Sequence, residues 1–274
     1  MKHLFCILAG IFLFSHLHGQ SIGRYLGDED ILNAQTKQVN QFFRRFNGEE
    51  GTDGTRFYEG DSLYRNALLR NKYLSILFNR ENTRLTDALK DDFIRDINGD
   101  GHPFYLDFHG GNWFAEVTTV FLYHGQEMPL TLFLRLQEEN VGSKWVITNV
   151  YFEPFHEIFA NHTPDSLKFL HPLSHELDFM NLINVFKDKH SVEDYAARDY
   201  KPDYLTLFIY EVNRSELVFK TVRHVKFHFF QVPGWYFELE DFNRPGYNAG
   251  WLISNLIKIS DEEKEMILKF IYHE

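Results

Sequence analysis

The sequence predicts an α+β protein on three observations. Apolar residues recur at helical spacing between Ile31 and Ile97, the period changes to two from Tyr105 onward, and the order of helices followed by strands returns after residue 175.

The first element is a leader. Lys2 and His3 precede an apolar run from Leu4 to Phe14, and Gly19 places a small residue where a signal peptidase would cut. Residues 1–19 therefore read as a cleaved signal peptide, too short to span a bilayer. The expected location is the periplasm or the extracellular space, with no transmembrane segment in the mature chain. The single cysteine, Cys6, falls inside the leader. Disulfides, cysteine-ligated zinc and a cysteine nucleophile are thereby excluded from the mature protein. A formal net charge of −11 with no basic run speaks against a nucleic-acid partner. The 28 Phe and 14 Tyr supply large apolar areas and point to a Phe-rich core.

Three helices are expected next. Ile31, Gln35, Val39, Phe42, Phe43 and Phe46 share a face, with Asp30 as cap and Gly48 as stop. Tyr64 to Phe78 repeats the period after a Gly-rich loop, capped by Asp61 or Ser62, and Leu85 to Ile97 follows. Long strands then alternate over Trp113 to Tyr123, Leu130 to Gln137 and Trp145 to Phe152, with turns at Gly125-Gln126 and Asn140-Val141-Gly142. The region from Pro154 to His175 reads as a linker.

The second half opens with a helix on Phe179, Leu182, Ile183 and Phe186 and a short helical stretch at Val192 to Ala197. Tyr204 to Val212 fits either helix or strand. Strands follow from Leu217 to Ile259, and then a C-terminal helix from Asp261 to Tyr272. Trp145-Val-Ile-Thr-Asn-Val150 matches Trp251-Leu-Ile-Ser-Asn-Leu256 with conservative differences only, which reads as the closing strand of a duplicated unit. The hairpin around Val232-Pro233-Gly234 has a self-consistent register: Phe229 opposite Phe237, Phe227 opposite Leu239, His228 opposite Glu238 and Lys226 opposite Glu240. One face is then wholly apolar and the other charge-matched, and a shift of one residue would ruin both.

Helices followed by long curved antiparallel strands, closed by a strand such as Gly142-Ser-Lys-Trp145-Val-Ile147, resemble the NTF2-like (cystatin-like α+β cone) superfamily. The resemblance implies two such units in tandem, at 28–155 and 176–262, with a linker at 156–175 and a terminal helix at 263–274. In overall style it is similar to exported proteins of Bacteroidota-type bacteria. A single continuous sheet would contradict separate units.

Four groups of residues raise chemistry. Asp96-Ile-Asn98-Gly-Asp100-Gly101-His102 with Asp107 places oxygen-bearing side chains at loop positions one, three, five and twelve and glycine at six, which resembles a calcium loop and makes calcium the one candidate cofactor. A strand follows it, and Asp replaces the usual final Glu, so a plain helix-to-strand turn is the competing reading. His171 and His175 stand at a zinc spacing that Pro172 and Ser174 disturb. His228 and Glu238, with Lys226 and Glu240, are candidates for an acid/base pair in a cone pocket; cross-strand pairing on a solvated face is the alternative. Asp107, His109 and Glu116 raise the same question in the first half. Arg244, Tyr247 and Asn248, beside Trp235, form a Gly/Pro-punctuated loop suited to recognition, or to an ordinary long turn. The functional expectation is an exported binding or scaffold protein for a small molecule, glycan or protein, without catalysis. The alternatives are an isomerase- or dehydratase-like enzyme using His228 and Glu238, and a glycan- or peptide-binding surface around Trp235 and Tyr247.

Overall fold

The computed structural model describes residues 38–99, 102–140, 142–160, 185–186, 192–197, 199–245 and 248–273. The leader, most of the 156–175 segment with His171 and His175, and the helix on Phe179, Leu182 and Ile183 lie outside the described residues.

Helix α1 (Val39–Asn47) ends at Gly48, whose φ of 74° is left-handed and lets the Gly48 and Glu49 amides bond back to the carbonyls of Arg45 and Arg44. Helix α2 (Ala67–Ile76) starts later than the periodicity suggests. Asn66 accepts from the amides of Leu68 and Leu69 and caps it, while the expected cap Asp61 accepts from the Tyr58 amide in the preceding turn. Helix α3 (Asp87–Ile97) is capped by Thr86.

Strands β1 (Trp113–Tyr123), β2 (Gln126–Glu139) and β3 (Gly142–Tyr151) form an antiparallel meander. The expected linker begins instead as helix α4 (Glu153–Ala160), with Pro154 in the first turn where it needs no amide. A 3₁₀ turn (Val192–Tyr195) precedes α5 (Tyr204–Asn213), a helix capped by Asp203. Strands β4 (Leu217–Phe229), β5 (Trp235–Phe242) and β6 (Gly250–Lys258) form the second meander, and α6 (Asp261–Tyr272) closes the chain with a Ser260/Glu263 capping box. Among the described residues no helix is long and apolar enough to cross a membrane.

The two meanders do not form separate sheets. β1 pairs with β4 from Trp113↔Phe229 to Tyr123↔Leu217, giving one open six-stranded antiparallel sheet in the order β3-β2-β1-β4-β5-β6. Alternation within each hairpin sets which side chains share a face, but it does not say which strand edges meet. That is why one continuous sheet replaces the two expected.

The Trp-x-Ile motifs occupy corresponding places in this sheet, as its outer strands. In each, the register skips the hydroxyl residue. Leu134↔Ile147 is followed by Phe133↔Asn149, leaving Thr148 bulged, and Leu239↔Ile253 by Glu238↔Asn255, leaving Ser254 bulged. Each hydroxyl donates to the carbonyl opposite, Thr148 to Phe133 at 3.2 Å and Ser254 to Glu238 at 3.4 Å. Between them runs a continuous apolar row, Ile147, Leu134, Ala115, Phe227, Leu239 and Ile253, in which the Ile and Leu positions at the two ends match while Ala115 faces Phe227 at the centre.

Trp145 of β3 lies 6.0 Å from Phe227 of β4 although β2 and β1 stand between them. A flat sheet would hold those strands roughly 14 Å apart, so the sheet curls around this face. The concave side holds the main core. Phe42, Phe43 and Phe46 of α1, Leu74 of α2 and Phe93 of α3 pack on Trp113, Phe229, Trp235 and Phe237. A second cluster joins Phe155 of α4 and Phe208 of α5 to Phe121, Leu130 and Leu217, and a third packs α6 on Phe114, Phe133 and Tyr236 of the convex side.

Candidate functional site

The β4–β5 hairpin has the register its alternation requires: Phe229↔Phe237, Phe227↔Leu239, His228↔Glu238 and Lys226↔Glu240. Gly234, at φ 75°, makes the turn. Phe229 and Phe237 stack at 4.7 Å on the concave face, which sends His228 and Glu238 to the convex face.

There they join a chain of polar groups across β1, β4, β5 and β6. His228, 1% exposed, has Nε2 2.7 Å from Glu116 Oε2 and Nδ1 2.8 Å from the Tyr236 hydroxyl. Tyr236 donates to Glu238 Oε1 at 2.6 Å, and Asn255 Nδ2 donates to the same oxygen at 3.2 Å. Lys226 Nζ lies 3.0 Å from Glu238 Oε2 and 3.8 Å from Glu240. A phenol has one proton to give, and here it goes to Glu238. The Tyr236 oxygen thus turns a lone pair toward His228 Nδ1, and the Glu116 carboxylate lies against Nε2.

The electrostatics agree with this arrangement. Burial alone would raise the Glu238 pKa, but the bonds from Tyr236, Lys226 and Asn255 outweigh it and hold the carboxyl below its ordinary value. Burial likewise opposes ionisation of Glu116, and the hydrogen bond from His228 with the nearby Lys226 charge overcomes it. Burial would lower Lys226, yet Glu238 and the other carboxylates keep it above the usual lysine range. Burial first, and then Glu238, push the Tyr236 phenol far above its ordinary value, so it stays protonated. Phe114 stacks on the His228 ring at 4.9 Å, and Tyr272 of α6 stacks on Phe114 at 5.1 Å. Among the surface clefts are one of about 790 Å³ beside Asp96 and Asn98 and one of about 390 Å³ beside His156. Neither is lined by His228 or Glu238.

Several of the other site residues that are described bond to distant parts of the chain. Asp96 Oδ2 accepts from Trp235 Nε1 and from Lys258 Nζ, each at 3.1 Å; burial opposes its ionisation, and these donors keep its pKa low. Asn98 Oδ1 accepts from Arg70 at 2.7 Å, so a guanidinium occupies the oxygen that a calcium ion would need. Asp107 Oδ1 accepts from the His109 amide, and exposed His102 has its own amide bonded to Gly99 O. Asp100 lies outside the described residues. Among the described residues no three His, Cys, Asp or Glu side chains are grouped to hold a metal. Asp96 Oδ2, Asn98 Oδ1 and Asp107 Oδ1 are thus each bonded to a donor of the protein.

Trp235, 1% exposed, is a core residue and not a surface platform. Arg244 donates to the Asn248 carbonyl and side chain and to Asn79 Oδ1, each at 2.7 Å, and pairs with Glu81. Asn248 in turn donates to Phe78 O at 2.8 Å. These two residues fasten the β5–β6 loop to the segment between α2 and α3. Tyr247 lies outside the described residues. Of the first-half trio, only Glu116 reaches the polar chain; His109 Nδ1 is 3.0 Å from Ser143 Oγ.

Three contributors went unread in the sequence. Tyr236 shares a face with Glu238 by alternation and was legible from the hairpin register. Asn255 is placed by the bulge at Ser254, which no local pattern announces. Arg70 is almost wholly buried, its pKa brought by burial to about 10, and it donates to the carbonyls of Phe46, Ile97 and Phe104. Comparison with known proteins finds no family model, no curated protein and no solved structure that matches this chain.

Proposed function

We propose that this is an exported binding or scaffold protein, periplasmic or extracellular, in which the His228 chain stabilises the sheet and does no catalysis. One observation carries the reading: the groups that could act as acid or base are bonded to one another across the sheet. A general base must reach a substrate proton at hydrogen-bond distance, and here the candidate atoms of His228 and Glu238 are engaged by Glu116, Tyr236, Lys226 and Asn255. The leader at 1–19 and a mature chain free of cysteine support export. The matching bulges and the matching Ile and Leu positions at the two ends of the apolar row support a duplicated helix-and-strand unit of NTF2-like ancestry whose two copies have merged edge to edge.

Two variants and one reaction test this. Glu238→Ala leaves the Tyr236 hydroxyl without its acceptor and Lys226 with only the more distant Glu240, and the fold should lose about 2–4 kcal/mol in urea unfolding. Wild type should isomerise a β,γ-unsaturated ketone no faster than buffer. A rate above background that His228→Gln abolishes, with unfolding unchanged, would establish the enzyme reading instead.

A further inference from the structure

An open sheet leaves strand edges, and an edge offers unpaired amides and carbonyls to another strand. The described residues of this sheet present three such stretches. The outer side of β6 is covered, because the segment from Leu77 to Asn79 bonds to Ile253. β4 has no described strand on its outer side from Leu217 to Val225, since β5 pairs only with Lys226 to Phe229. β3 is the last strand at the other end of the sheet.

The two uncovered edges differ in chemistry. On β4 the register against β1 breaks twice, leaving Arg223 as the extra residue between His224 and Val222 and Lys220 as the extra residue between Thr221 and Phe219. Both cations are exposed. Bulges and cations protect an edge, because a bulge spoils the spacing of its hydrogen bonds and a cation must be desolvated before another strand can add. β3 runs in unbroken register with β2 from Gly142 to Ile147, and its one charge there, Lys144, is paired with Glu139 at 2.7 Å. Trp145 and Ile147 share the concave face of this edge and are 39% and 36% exposed. The Trp145 ring is held edge-on against Trp113 at 5.4 Å, so the apolar strip at the edge is a fixed one.

We propose that a second copy of this chain adds at this edge, β3 to β3, antiparallel about a two-fold axis at Val146. The strand is self-complementary in that register. Trp145 of each copy lies opposite Ile147 of the other, which makes two aromatic-to-β-branched pairs on the concave face, and Val146 lies opposite its own counterpart on the convex face. Lys144 falls opposite Thr148, so no like charges meet. A shift of one residue would set Trp145 against Val146 and divide the apolar side chains between the faces. The bulge at Thr148 ends the regular pairing, so the contact is short. It buries less than the roughly 800 Å² per partner of a stable complex, which makes the dimer a weak one, with a Kd of roughly 10–100 μM. No residue of the His228 chain takes part, so either reading can fail alone.

The test uses the full mature protein, residues 20–274, which contain no cysteine. Sedimentation velocity from about 1 to about 500 μM should show a monomer passing into a dimer. Val146 stands opposite Arg135 of β2, so Val146→Glu gains a partner within one copy but faces a second carboxylate across the dimer. It should weaken association at least tenfold while circular dichroism stays that of wild type. Val146→Cys, close to valine in size, should be joined to its own counterpart by a short bis-maleimide, and Lys220→Cys on the β4 edge should not. A chain that stays monomeric over the whole range, unchanged association in folded Val146→Glu, or failure of Val146→Cys to cross-link where the dimer is populated would each overturn the proposal. Cross-linking through Lys220→Cys would overturn it in favour of the β4 edge.

Discussion

Strands β3 and β6 carry the same motif and the same bulge, yet their surroundings differ. β6 is gripped on its outer side. Ile253 donates its amide to Leu77 O at 2.8 Å and accepts from the Asn79 amide at 2.9 Å, and Asn82 bonds the Ser254 carbonyl at 2.8 Å. The outer side of β3 has no described strand beside it. Ile253 is consequently 0% exposed and Ile147, its counterpart, 36%. The convex faces diverge as well. Where β5 has Glu238 opposite Asn255, β2 has Phe133 opposite Asn149, so the corresponding position is a bonded carboxylate in one half and an apolar ring against Tyr272 of α6 in the other. One backbone plan thus tolerates opposite chemistry, because a sheet face asks only that each group be covered or partnered.

The sharpest way to break this comparison is to truncate the paired isoleucines. Ile253→Ala opens a cavity in the main core and should cost about 2–5 kcal/mol, while Ile147→Ala, on a half-covered edge, should cost under about 1 kcal/mol in the same urea titration. Equal losses would mean that the grip of Leu77 and Asn79 matters little. Acid should act next, through the polar chain that joins β1 to β5. Glu116 and Glu238 have folded pKa values below the ordinary 4.5, so their stabilisation is complete above that pH and is lost as pH falls through the lower folded values. Unfolding free energy measured from pH 6 to 3 should decline more steeply in wild type than in Glu238→Gln, and parallel curves would remove Glu238 from the account. The smallest difference is expected at the bulges. Ser254 is buried and Ser254→Ala should cost about 0.5–1.5 kcal/mol, whereas Thr148→Val on exposed β3 should stay within about 0.5 kcal/mol.

Much of the plan was legible in local pattern. The Phe-rich core, strand β1 from Trp113 to Tyr123 and helix α6 from Asp261 to Tyr272 follow from periodicity and caps. The β4–β5 register follows from the demand that Phe227 and Phe229 share one face and Lys226 and His228 the other. The site was less legible, because its parts come from distant stretches. His228 and Glu238 are neighbours within one hairpin, but the Glu116 that completes them stands on β1, and nothing near Glu116 announces that partner.

By itself the sequence determined what depends on a residue's immediate neighbours: helix faces, turn positions, strand alternation and the pairing of one tight hairpin, where a one-residue slip would bury charge. Only the tertiary structure decided that β1 and β4 meet, that Asp96 serves Trp235 and Lys258, that Arg244 and Asn248 fasten a loop, and that a cleft forms beside His156. Each of those depends on which edges and surfaces come together across a hundred residues or more of chain. Side-chain alternation has the same period of two whichever strand lies alongside, so it carries no record of that choice.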